Sequence, residues 1–297
     1  MERKSNFPEK TGDILSAGEI ETLIKTDGVF RVEVRRKVTS TNDLLRELAD
    51  AGAPEGYVLA AEEQTAGKGR QGRGFHSPAG HGVYFSLLLR PGFAAKDTAL
   101  ITPAASVAAA LAIGEVYGVR AGIKWVNDLL VDGKKVCGIL TGTVLDAESG
   151  LVESAVLGIG INVTPPEAGY PEGIRAVAGA LTDFSGGVED RRCRLIAAIL
   201  DNFWGYYGET GREAAPCPAP RLAQRAFLEE YRARSVVLGQ KIYVITGEGR
   251  REARAIAIDD DCGLVVEYDD GSGDGDYETA TLNSGEVSIR AIGNNDL

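Results

Sequence analysis

The stretch Glu62–Arg90, EEQTAGKGRQGRGFHSPAGHGVYFSLLLR, decides how the rest of the chain is read. Its middle, Gly67-Lys68-Gly69-Arg70-Gln71-Gly72-Arg73, sets three cations among three further glycines. From Gln64 to Lys96 there is no Asp or Glu, although the chain carries 43 acids against 32 Lys plus Arg. Glycines let a backbone come close and turn its N–H groups toward one ligand. Cations add charge and directed donors. The pattern predicts an anion cradle between two strands, Tyr57–Ala61 before it and Val83–Leu89 after it. It does not fit G-x-x-x-x-G-K-[ST], and no helix follows it as a dinucleotide fingerprint requires, so the scaffold is neither a P-loop nor a Rossmann unit.

Working outward, the N-terminal side offers a short helix over Ser16–Lys25 and a half-exposed strand over Phe30–Val38. Thr39-Ser40-Thr41-Asn42 then opens a helix stopped by Gly52. Capping explains part of this polar run; four small polar residues exceed one cap, which leaves some to face a ligand. On the C-terminal side, Pro103–Tyr117 reads as an apolar, buried helix stopped by Gly118. No run is read as long enough to span a bilayer, and the polar first 30 residues show no signal peptide.

Ile123–Val131 and Lys134–Val144 read as two strands joined by Asp132-Gly133, a hairpin signal. The hairpin brings Lys135 to the level of Asn127-Asp128, so that a cation, a carboxylate and an amide meet. That suits a phosphate with Mg²⁺ held through one carboxylate, Asp128. In the strand Val152–Val163, Gly158 and Gly160 share one face and leave either a groove or a tight strand contact. Asn162, on the same side, can read a purine edge.

Helices are expected over Asp190–Tyr207 and Arg221–Arg232, around the Pro-rich linker 214–220. Short strands alone follow, at Lys241–Thr246, Glu252–Asp259, Leu264–Tyr268, Tyr277–Leu282 and Val287–Arg290, as in a small antiparallel barrel. A boundary near residue 234 divides the chain into 1–29, an extension; 30–234, the larger unit; and 235–297, the barrel. A net charge of −11 argues against non-specific binding to nucleic acid. Cys137, Cys193, Cys217 and Cys262 are scattered, and with only two histidines there is no zinc spacing. Reduced thiols and a cytoplasmic location are the expectation.

Taken together, these residues resemble the biotin protein ligases. Ser40-Thr41-Asn42 is similar to the family's S-T-N, and Gln64 with GKGRQGRGF to its Q-x-A-G-[RK]-G-R-x-G-R segment. Lys124-Trp125-Val126-Asn127-Asp128 resembles K-W-P-N-D, and Lys135–Leu140 resembles K-x-x-G-I-L. Gly158–Asn162 is similar to G-x-G-I-N, and Ser284–Arg290 to S-G-E-V-S-x-R. The six motifs keep their order over nearly the whole chain.

The resemblance implies an α+β fold of the class II aminoacyl-tRNA synthetase and biotin ligase type, a mixed sheet flanked by helices and followed by a small SH3-like β-barrel. It implies an enzyme that joins biotin and ATP into biotinyl-5′-AMP and passes biotin to a lysine of a biotin carboxyl carrier domain, with Mg²⁺ assisting. By resemblance, Arg70 and Lys135 are catalytic. Ser40, Thr41, Asn42, Gln64, Gly67, Lys68, Trp125, Lys135 and Gly138 hold biotin. Arg70, Arg73, Phe75, Lys124, Asn127, Asp128 and Asn162 hold ATP and the adenylate.

Three departures stand out: Val126 replaces a proline, Lys68 an arginine, and Phe75 a frequent tryptophan. Too few residues precede the core for the helix-turn-helix domain of the bifunctional branch, so no DNA binding is expected. A homodimer is compatible with an exposed sheet edge, which could instead receive the carrier. The rivals are a lipoate–protein ligase and a biotin-adenylate-binding regulator.

Overall fold

The computed structural model describes residues 14–185, 191–208, 221–246, 249–269, 277–283 and 285–289. Residues 1–13, Asp190, the Pro-rich linker with Cys217, residues 270–276, Ser284 and Arg290 lie outside them.

Ser16 caps α1 (Ala17–Leu23), accepting the Glu19 N–H. Strand β1 (Arg31–Val38) leads through α2 (Thr41–Asp50) to a parallel partner, β2 (Tyr57–Gln64). After the glycine loop, β3 (Gly82–Leu89) runs antiparallel to β2 and is buried along its whole length. α3 (Ile101–Tyr117) is stopped by Gly118, which takes φ 69°, as a left-handed C-terminal residue should. Four antiparallel strands follow: β4 (Gly122–Lys124), β5 (Asp128–Val131), β6 (Lys134–Leu145) and β7 (Val152–Asn162). The seven strands form one mixed sheet in the order β1-β2-β3-β7-β6-β5-β4.

A one-turn helix α4 (Glu172–Arg175), then α5 (Arg192–Tyr207) and α6 (Leu228–Arg234), complete this layer. α3 and α5 cover one face around Phe85, Leu87, Ile159 and Phe203. α2 covers part of the other through Leu45, Leu59, Leu88 and Val156. The N-terminal helix belongs to the same packing: Ile20 is fully buried, and the Leu15 N–H reaches Glu62, itself paired with the buried Arg192 at 2.8 Å.

The second sheet is antiparallel: β8 (Lys241–Thr246), β9 (Gly249–Ile258), β10 (Leu264–Asp269), β11 (Tyr277–Leu282) and β12 (Glu286–Ile289), in the order β11-β10-β9-β8-β12. This matches the five expected short strands and a small SH3-like unit. It is tied to the first sheet by the Trp125 indole N–H on Cys262 O at 2.9 Å and the Val236 N–H on Ile123 O at 2.9 Å.

Three expectations are corrected. The single strand read over Ile123–Val131 is two short strands, β4 and β5, paired Lys124 to Asp128 around a tight turn. Periodicity failed there because Trp125 is buried by the second sheet rather than by strand neighbours. The peptide bond before Val126 is cis. The helix read over Arg221–Arg232 breaks into a 3₁₀ turn, Arg221–Gln224, and α6, with Arg225 at φ 54° between them. Finally, Ala95–Tyr117 is long and apolar enough to cross a membrane, with 23 residues and a mean hydropathy of 1.7; 72% of its most apolar window is buried inside the protein, as suits a core helix.

Candidate active site

The loop between β2 and β3 folds back on itself. Gly69 N–H donates to Arg73 O at 2.7 Å and Phe75 N–H to Gly67 O at 2.8 Å, while Gln71 and Gly72 take positive φ at the tip. Two consecutive left-handed residues are what a tight primed turn demands. The loop thereby stands over the open face of β3, β7 and β6, beside the N-terminus of α2. Between them is a cavity of about 550 Å³.

Its floor is made of glycines. Gly138 of β6 pairs with Gly160 of β7, and Gly158 lies two residues further along. A Cβ on Gly160 would come within 2.6 Å of the Phe75 ring, and one on Gly158 within 2.0 Å of Asn42 Oδ1. The missing side chains are therefore what admits Phe75 and Asn42. Of the two readings left open for Gly158 and Gly160, the groove is the one the fold adopts.

One wall is polar. Ser40 caps α2 by accepting the Asp43 N–H, and Thr41 presents both its N–H, at 2.9 Å, and its hydroxyl, at 3.1 Å, to Gln64 Oε1. Gln64 Nε2 donates to Ser77 Oγ at 3.0 Å. The other wall is charged. Lys135 Nζ sits 2.7 Å from Asp128 Oδ1, as the hairpin reading requires, and lies along Gly138. Asn127 donates to Ile139 O at 3.0 Å and accepts from Arg70 Nη1 at 3.2 Å, so the turn between β4 and β5 holds the glycine loop. Lys68 Nζ pairs with Asp43 at 2.7 Å, joining the loop to α2. Lys124 and Arg73 also face the cavity, and Trp125 closes its inner end.

Two of the residues named from the sequence stand elsewhere. Gly67 lies behind the lining, packed against Phe75 O and Ser77 Oγ, where a Cβ would clash at 2.5 and 2.8 Å. Asn162 is one step beyond the cavity; its Nδ2 is spent on Gly179 O at 3.0 Å.

The structure also supplies cavity lining that sequence reading missed, Ile174 and the exposed Val177 near α4 and Val287 and Ser288 from the second sheet, and it sets the fully buried Ser86 behind the polar wall, bonded to Thr41. Ser86 carried a usable signal, a hydroxyl inside the apolar strand VYFSLLL. The others depend on long-range packing. Tyr170, pushed up to about 12 by burial, remains a donor to Gly179 O at 3.1 Å and steadies the α4 segment. Cys137, under the floor, is pushed far above the usual thiol range by burial and packs as a neutral side chain.

Residues 34–162 match the Biotin/lipoate A/B protein ligase family, and residues 237–290 match the Biotin protein ligase C terminal domain. The chain is 34% identical over 258 residues to the Bifunctional ligase/repressor BirA of Bacillus subtilis, covering 86% of this chain and 76% of that protein. It is 31% identical over 251 residues to the Biotin--[acetyl-CoA-carboxylase] ligase of Paracoccus denitrificans, covering 77% of this chain and 91% of that one. The chain belongs to the biotin protein ligase family. Among solved structures, it is similar to a biotin protein ligase from Aquifex aeolicus in complex with biotin and ATP, with a TM-score of 0.67 and 25% identity, over 87% of this chain and 98% of that one. For a member of this family, the convergence of Ser40–Asn42, Gln64, Arg70, Lys124–Trp125, Lys135, Gly158–Gly160 and Val287 on one cavity gives the six sequence motifs a shared physical location.

Proposed function

We propose that the chain is an ATP-dependent biotin protein ligase. The observation that carries this reading is the cavity itself, in which a polar wall, a glycine floor and a cationic wall face one another. A bicyclic head group fits between Ser40, Thr41, Asn42 and Gln64 on one side and Trp125 on the other. Its carboxylate tail then runs along Gly138 toward Lys135.

The first step joins two anions. A carboxylate oxygen attacks the α-phosphorus of ATP, the bond from that phosphorus to the bridging oxygen breaks, and pyrophosphate leaves. Lys135 neutralises charge on the carboxylate and the α-phosphate, while Arg70, Arg73 and Lys124 receive the remaining phosphate charge. In the second step, the neutral amine of a carrier lysine attacks the anhydride carbonyl. An amide forms, AMP leaves, and the amine gives up its proton. The glycine loop, held by Arg70–Asn127 and Lys68–Asp43, keeps water from the anhydride until the carrier arrives.

Magnesium fits this site in a limited way. Asp128 is a single carboxylate inside the cavity, and the described residues contain no group of three His, Cys, Asp or Glu that could hold a metal by themselves. One carboxylate plus phosphate oxygens is a common Mg²⁺ arrangement. Asp128 would hold the ion, which would supply further neutralisation of the phosphates. Asn162 lies outside the lining, and contact with adenine would require its amide to exchange its bond with Gly179 O.

The partner is a biotin carboxyl carrier domain of a carboxylase, and the location is cytoplasmic, where ATP and such carriers meet. DNA binding forms no part of this reading. The division at residue 234 separates a catalytic unit from a C-terminal unit that lends Val287 and Ser288 to the cavity. The test is pyrophosphate release with Mg-ATP and one added acid. Release with biotin and none with lipoate is expected; release with lipoate alone would overturn the assignment.

A further inference from the structure

Four oxygen atoms stand in a row behind the polar wall. Asn42 Oδ1 lies 2.5 Å from Ser86 Oγ, Ser86 Oγ lies 2.8 Å from Thr41 Oγ1, and Thr41 Oγ1 lies 3.1 Å from Gln64 Oε1. The two end atoms are amide oxygens, which accept only. Their orientation is set by backbone partners. Thr41 N–H needs the Gln64 oxygen at 2.9 Å, and Leu140 O needs the Asn42 Nδ2 donor at 3.4 Å. Gln64 Nε2 is further held by Ser77 Oγ, whose own proton goes to Phe75 O at 3.0 Å. Flipping either amide would set acceptor against acceptor or donor against donor.

Three oxygen contacts therefore share two protons, those of Ser86 and Thr41. Both protons are used within the row, and one contact always lacks one. Ser86 is fully buried and Thr41 almost so, which leaves little room for water to correct the shortage. Thr41 Oγ1 and Asn42 Oδ1, with their hydrogen-bonding partners in the row, consequently face the cavity as acceptors, while the Asn42 Nδ2 group is turned toward Leu140 O. A head group that donates N–H supplies what the row lacks. A head group of carbon and sulfur leaves buried acceptors without donors, a desolvation penalty paid in full.

We infer that Ser86 is a specificity-determining positioning residue: by engaging both Thr41 and Asn42, it holds them as acceptors and so selects a head group bearing N–H donors over a dithiolane. This rests on the biotin ligase reading of the same cavity. Without the Ser86 hydroxyl, Asn42 Oδ1 loses its donor and Thr41 Oγ1 keeps only its contact with Gln64, so both oxygens lose the group that fixes their positions.

The test is calorimetric titration of the wild type and Ser86→Ala with three acids. Biotin keeps the cyclic urea and the ring sulfur, desthiobiotin keeps the urea without the sulfur, and lipoate has no urea. Ser86→Ala is expected to weaken biotin and desthiobiotin alike, about 10-fold, and to leave lipoate binding where it was. Ser86→Cys, a weak donor of similar size, should fall between the two and covers the case in which the alanine variant does not fold. Equal weakening of all three acids, or no weakening of any, would overturn the inference. Failure of the wild type to bind biotin would overturn the ligase reading itself, which keeps the two failures apart.

Discussion

Replacing Lys135 by alanine is expected to lower the rate of biotin-dependent pyrophosphate release about a thousandfold, the scale on which loss of one preorganised charge-stabilising donor acts. Two features make the effect this large. The Lys135 ammonium lies along Gly138, at the point where the glycine floor meets the charged wall. Its removal also takes from Asp128 its 2.7 Å cationic partner, so that less positive charge faces the incoming phosphates. Lys135→Arg keeps the charge but carries a broader head over the Gly138–Gly160 pair, and should recover only part of the rate. Steady-state pyrophosphate release at saturating biotin and ATP checks both variants. An alanine variant within threefold of the wild type would remove Lys135 from the chemistry.

Arg70→Gly separates making the adenylate from keeping it. The Arg70 guanidinium reaches across the cavity mouth to Asn127 Oδ1 at 3.2 Å and fastens the loop to the turn between β4 and β5. The substitution removes that tie and adds another glycine between Gly69 and Gly72, which raises the entropy of the open loop. Lys135, Asp128 and Lys124 are untouched, so adenylate formation continues. Its escape should quicken by roughly 10- to 100-fold, as expected for loss of one charge-assisted hydrogen bond and the loop order it enforces. The readout is biotin appearing on lysines of a bystander protein such as albumin, together with loss of bound label on gel filtration. If Arg70→Gly retained adenylate as tightly as the wild type, the clamp would lie elsewhere.

How far the sequence could carry these assignments depended on the kind of force involved. The glycine and cation run between Gln64 and Phe75 was legible because its chemistry is local: turn geometry and charge are written in consecutive residues. The Asp132-Gly133 hairpin was legible for the same reason: in register Lys135 stands across from Leu130 and Asp128 across from Gly138, and the long Lys135 side chain closes the remaining distance to Asp128. The Trp125–Asn127 turn was not, since an indole buried by Cys262 of the second sheet looks like a strand residue until that sheet is in place. Asn162 was assigned to the cavity from its face on β7, but face alone does not report that Gly179 has already claimed its amide. Ser86 offers a signal, a hydroxyl inside an apolar strand, but its role depends on Thr41 and Asn42, more than 40 positions away.

The most direct test of the central claim is the mass of a biotin carboxyl carrier domain incubated with the chain, Mg-ATP and an equimolar mixture of biotin and lipoate. The account predicts an increase equal to one biotinyl group on one lysine, absent without ATP. A lipoyl increase, or an unchanged carrier in the presence of active ATP and biotin, would contradict it.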